Sequence, residues 1–129
     1  MTQHSSQDLP FEEIVRGIGD ALIYSDRQGI IRWWNPGAEA LFGFSAAEAV
    51  GASLDIMIPE KIRAAHWKGF HEAVESGVSK YYGKVMRTRG IHKTAGKAYV
   101  ELSLNLVKDT AGHVIGSVAI ARPAPPDAR

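Results

Sequence analysis

The sequence predicts an α+β domain, a five-stranded antiparallel sheet with helices packed on one face. Three observations carry that expectation. The apolar runs are ordered strand, strand, several helices, then three strands. The links DRQG, KTAG and KDTAG are short enough for hairpins, and so for antiparallel pairs. In residues 97–107, Val100, Leu102, Leu104 and Leu106 alternate with Glu101, Ser103 and Asn105, so one sheet face is buried and the other wetter. Such a face needs cover, and the middle helices are the main elements available to supply it. The space between them and the sheet can hold a small ligand.

Residues 1–10 are polar, end at Pro10 and are expected to be flexible. Phe11, Ile14, Val15 and Ile18 recur at helical spacing, which predicts a short amphipathic helix that caps the domain or packs against a second copy. ALIYS and GIIRWWN form a hairpin across the turn residues Asp26 and Gly29. Asn35-Pro36 ends the strand, with Asn35 capping a helix that starts at Pro36 and stops near Gly43. Ser45 with Glu48 is a capping box for a further turn that ends at Gly51. A longer helix follows over 61–76, stopped by Gly77. Strands are expected over 80–92, 97–107 and 113–121, and in the last Val114, Gly116, Val118 and Ile120 share a face. The domain thus spans 11–121, with its cap helix first, and the Pro-rich tail 122–129 is expected to be disordered.

With 129 residues the chain is one domain by length, large enough to bury a core without staples. Fifteen basic and 14 acidic residues give a formal charge of +1, so nothing argues for nucleic acid as a partner. There is no cysteine, which excludes disulfides, thiolate nucleophiles and flavin–cysteine photochemistry. No nucleophile elbow or glycine-rich phosphate loop is present, so an enzyme is not expected. No signal peptide and no membrane-length apolar run is present, and a cytoplasmic location is expected.

On the 61–76 helix, Ile62, Ala65, His66, Gly69, Phe70 and Ala73 fall on one side, with His66 in the middle of the stripe. Two readings stay open. His66 is either a helix-face histidine bonded to a carbonyl or buried water, or a metal ligand in an apolar pocket, kept neutral by burial. His71, five residues on, does not share its face, so a zinc pair is not expected. Trp33 and Trp34 point to opposite faces of their strand. Trp33 is assigned to the cavity, and the other tryptophan to an outer face.

GIIRWWNPGAEALFGFSAAEAVG resembles the opening signature of the PAS family, with its Asn-Pro strand end, Gly-Phe step and Glu-Ala/Val-x-Gly turn. YYGKVMRTRGIHKTAGKAYVELSL resembles that family's strand pair after the long helix, and the resemblance covers about 15–121. Where the family has Lys-Asp-Gly, this chain has the longer Lys93-Thr94-Ala95-Gly96. PAS domains share a fold and not a chemistry, so the site must decide the function.

DIMIPEKIRAAHWKGF is similar to the segment of bacterial oxygen-sensing haem PAS domains that carries the proximal haem histidine, and His66 falls on that histidine. The resemblance implies haem, held by His66 as the iron ligand. Counted from His66, Lys84 falls on the family's distal Met position and Met86 on its Arg position; a shift of one brings up Val85 and Arg87. Met86 is the candidate sixth ligand. The slot would be lined by Ile62, Phe70, Trp33, Leu102, Leu104 and Ile120, with arginine or lysine at its mouth for the propionates. The expected function is a signal-transducing redox or gas sensor. The alternative is a haem-free module, with no cofactor, that binds a small organic ligand or acts in protein dimerisation. Either way a homodimer through the 11–18 helix and outer sheet face is expected, together with a signalling partner protein.

Overall fold

The computed structural model describes residues 8–126. Residues 1–7 of the expected flexible start, and 127–129 of the expected tail, lie outside the described residues. The elements are α1 (Phe11–Arg16), β1 (Ala21–Asp26), β2 (Ile31–Trp34), α2 (Pro36–Phe42), α3 (Ala46–Ala49), α4 (Arg63–Ser76), β3 (Met86–Gly90), β4 (Ala98–Lys108) and β5 (Val114–Pro123). The strands form one antiparallel sheet in the order β2-β1-β5-β4-β3, so the first and last strands of the chain meet at its centre. The predicted α+β class, with helices on one face, is what the structure has.

Asn35 ties the start of this fold together. Its Oδ1 accepts from the backbone N–H of Leu22 in β1 (2.8 Å) and of Ala38 in α2 (2.9 Å). Its Nδ2 donates to the carbonyls of Ile18 (3.1 Å) and Asp20 (3.0 Å). One buried amide thus caps a helix, holds a strand and fixes the chain that enters it. Ser45 and Glu48 form the predicted capping box, and Gly43 and Gly77 end α2 and α4 in the left-handed conformation. Ile23, Ile31 and Val100 are the largest fully buried apolar side chains, at the seam between the sheet and the small helices.

Several boundaries differ from expectation, and the first helix stops at Arg16, with Gly17 as its cap and Ile18 beyond it. The long helix begins at Arg63, after a separate 3-10 turn over Glu60–Ile62 that follows Pro59. β3 begins at Met86 rather than near residue 80. Its partner register ends at Met86↔Leu102, and Gly83, at φ 78°, sits in a turn that Lys84 N–H closes by donating to the Tyr81 carbonyl. β5 continues through Arg122 and Pro123, both expected in the disordered tail. Ala124 N–H donates toward β4, to the Tyr99 carbonyl, so the missing N–H of Pro123 falls on the side where β1 has already ended.

Candidate functional site

A cavity of about 870 Å³ lies between α4 and the sheet. Its helical wall carries Ile62, His66, Gly69, Phe70 and Ala73. Its sheet wall carries Leu102 and Leu104 of β4, Met86 of β3, and Ser117, Ala119 and Ala121 of β5. None of the α4 residues is fully buried, because the inner face of that helix looks into the cavity instead of packing against side chains.

His66 is half-buried, and its Nδ1 is buried with no hydrogen-bond partner among the described residues. Its imidazole meets Trp67 edge-on at 4.7 Å and Phe70 at 6.0 Å between ring centroids. Burial holds its pKa below the ordinary histidine value; the Asp55 carboxylate works against that, and His71 adds to it. Burial thus favours the neutral imidazole, and its buried Nδ1 bonds no protein carbonyl among the described residues, which leaves a buried water or a metal as its partner.

Trp67, the next residue, fixes α4 at the other side. Its indole N–H donates to Asp55 Oδ1 at 2.8 Å, and its ring covers Gly29 so closely that a Cβ there would stand 2.2 Å from it. Arg63 also holds this segment, donating to the carbonyls of Ile58 and Asp55. These contacts anchor the helix that presents His66.

Six of the expected lining residues meet in the cavity: Ile62, His66, Phe70, Met86, Leu102 and Leu104. The one-residue ambiguity in β3 resolves through pairing. Met86 opposes Leu102 and faces in, while Arg87 opposes Glu101 and forms an ion pair with it at 3.4 Å. Lys84 and Val85 precede the strand and are exposed.

Two expected lining residues lie elsewhere. Ile120 opposes Leu22 and Ser103 on the far face of the sheet and is 38% exposed. It does share a face with Val118, as alternation requires, but the cavity face of β5 carries Ser117, Ala119 and Ala121. Trp33 opposes Tyr24 on that far face, with the Arg16 guanidinium 5.2 Å over its ring. Trp34 takes the core side, where it packs on Phe42 and donates to the Phe44 carbonyl. Sequence reasoning missed Ser25 and Ser117, both in the cavity wall. The missed signal was the run of small residues in β5, which leaves room in front of the sheet. Basic residues that line the cavity are Lys68, Lys80, Arg87 and Arg89.

The PAS fold family matches residues 10–124. The chain is 38% identical over 61 residues to the sensor protein FixL of Bradyrhizobium diazoefficiens, covering 47% of this chain and 12% of FixL. It is 27% identical over 104 residues to the oxygen sensor protein DosP of Escherichia coli, covering 81% of this chain and 13% of DosP. It therefore spans only a small part of the curated relatives it matches. Among solved structures, the PAS domain of a Colwellia psychrerythraea protein superposes with a TM-score of 0.74 at 23% identity, over 88% of this chain and 93% of that one. An RNA-binding light-oxygen-voltage receptor superposes at 0.71 with 16% identity, over 95% of this chain and 36% of that one. With nearly the whole described chain inside the family match, the chain belongs to the PAS family, whose domains of this kind are sensory, non-catalytic signalling modules.

Proposed function

We propose that this domain is a haem-based redox or gas sensor in which His66 would hold the iron. The observation that carries the reading is the buried, unpartnered Nδ1 of His66 in the wall of a large apolar cavity, where burial favours the neutral imidazole. A buried polar atom without a partner costs free energy, and a metal bond relieves it. The cavity volume lies in the upper range for small-molecule and cofactor sites. Among the described residues no three metal-ligating side chains gather, but haem iron needs only one or two protein ligands. The oxygen-sensor name of DosP, 27% identical over 81% of this chain, supports the same reading.

Haem would supply an iron centre whose oxidation state or sixth ligand changes with the signal. The protein's own part is positional. His66 would anchor the group, Phe70, Leu102 and Leu104 would exclude water, and Lys68, Lys80 or Arg89 would pair with the propionates at the rim. Met86 faces the same cavity and is the candidate sixth ligand. The second reading, a haem-free module that takes a small organic ligand, is favoured by one observation, the serine hydroxyls in the sheet wall.

Output is assigned to a homodimer and to a signalling partner protein. Phe11 and Ile14 of α1 are 50% and 51% exposed, and no α1 residue is buried, so the helix has apolar surface to give to a second copy. No helix of the described residues is long and apolar enough to cross a membrane.

The test is the visible absorption spectrum of protein purified after haem supplementation. A sharp band near the blue edge that is absent from His66→Ala is expected. A colourless wild type in excess haem, or a band that survives the substitution, overturns the assignment.

A further inference from the structure

The sheet wall of the cavity bears on the second, haem-free reading, on which the inference rests. Ser25 and Ser117 are directly opposed in the β1–β5 register, with their hydroxyls 3.0 Å apart. Ser25 is 1% exposed, and its hydroxyl donates to the Asp26 carbonyl at 3.2 Å. A hydroxyl has one proton to give, and a carbonyl can only accept. With the Ser25 proton given to the Asp26 carbonyl, Ser117 is the donor in the serine pair, whose 3.0 Å contact permits either direction. Asp26 is itself fixed: its carbonyl also accepts from Gly29 N–H, and its carboxylate accepts from Gln28 N–H, Ile30 N–H and Arg32. In that arrangement Ser117 stands at the cavity surface with its proton engaged by Ser25 and its lone pairs free.

The neighbours that share the inner face with this pair, Ile23, Leu104, Leu106 and Ala119, carry no polar side-chain atom, while Asn105 of the lining pairs with Val118 on the alternate face. An acceptor set in such a wall is met favourably only by a donor. We propose that Ser117 determines ligand specificity, selecting a compact apolar molecule that carries an N–H or O–H group and accepting its hydrogen bond. A molecule with only acceptors at that end would face the Ser117 lone pairs and be rejected.

The probes are 2-naphthol and 2-methylnaphthalene, the same ring system carrying either O–H or CH3, titrated into the haem-free full chain by equilibrium dialysis. Ser117→Ala should weaken 2-naphthol about three- to tenfold, the worth of one hydrogen bond, and leave 2-methylnaphthalene within about twofold. Ser117→Thr should retain 2-naphthol binding. Equal effects on both probes, or no saturable binding of 2-naphthol, overturns the proposal. Should Ser117→Ala lose cooperative unfolding, wild type alone decides. There 2-methoxynaphthalene, which can only accept, must bind more weakly than 2-naphthol, and equal or tighter binding overturns the proposal. The haem reading fails separately, because His66→Ala should abolish the haem band while keeping the preference for 2-naphthol.

Discussion

Replacing Asn35 by alanine should be among the most damaging single changes in the chain. The side chain is 1% exposed and makes four hydrogen bonds. Ala38 N–H keeps a partner after the change, because it also donates to the Asn35 backbone carbonyl at 3.0 Å. Leu22 N–H has no such reserve and would be left buried and unpaired, at a cost of about 1–3 kcal/mol. Loss of the cap on α2 adds about 1 kcal/mol. The Ile18 and Asp20 carbonyls each lose a donor as well, which brings the whole to about 3–5 kcal/mol. For a domain of this length, that lowers Tm by roughly 10–20 °C. Asn35→Asp keeps the acceptor for Leu22 and Ala38 but turns a carboxylate oxygen toward the two carbonyls, so it should not restore stability. Urea denaturation followed by circular dichroism measures the difference. A loss below about 1 kcal/mol for Asn35→Ala would show that the amide is not the tie described.

Other outcomes follow from the same geometry. Gly116→Ala places a Cβ 2.2 Å from the Ser25 carbonyl oxygen, which is backbone and cannot move aside; a loss above about 2 kcal/mol is expected in the same denaturation assay. The lowered pKa of His66 means that the unfolded chain binds its proton more readily than the folded one. Stability of the haem-free protein should therefore fall as pH drops below the ordinary histidine value of 6.5 toward the lowered folded value, and His66→Gln should flatten that part of the profile. Phe11→Glu combined with Ile14→Glu should shift sedimentation from dimer to monomer while keeping the circular dichroism of the folded protomer, because neither side chain is buried in it.

Much of the fold was legible because it rests on local chemistry. Asn35-Pro36, the Ser45–Glu48 box and the terminating Gly43 and Gly77 each signal a helix boundary through their own backbone demands, and the structure uses all of them. The start of β3 was not legible. Tyr81, Tyr82 and Val85 have strand-favouring side chains, yet they are exposed and precede the last residue that β4 pairs. Facing was harder still. Alternation groups Val118 with Ile120 and separates Trp33 from Trp34, but which set faces the helices depends on pairing with β1 and β2. The expectation that Ile120 lines the slot fails, because the small Ser117, Ala119 and Ala121 face the cavity instead. His66, Phe70 and Met86 were found because helical spacing and the resemblance placed them on facing walls. Ser25 and Ser117 were missed because neither is unusual in its own strand, and only the register brings them together.

The central claim is that the His66 imidazole itself bonds iron, and replacing the side chain by a free ligand tests it most directly. In His66→Gly, titration with haem should give no sharp band near the blue edge. Added imidazole, entering the space left by the side chain, should restore it in a saturable way, while toluene should not. A sharp band in His66→Gly without imidazole, or none in wild type under the same titration, would contradict the account.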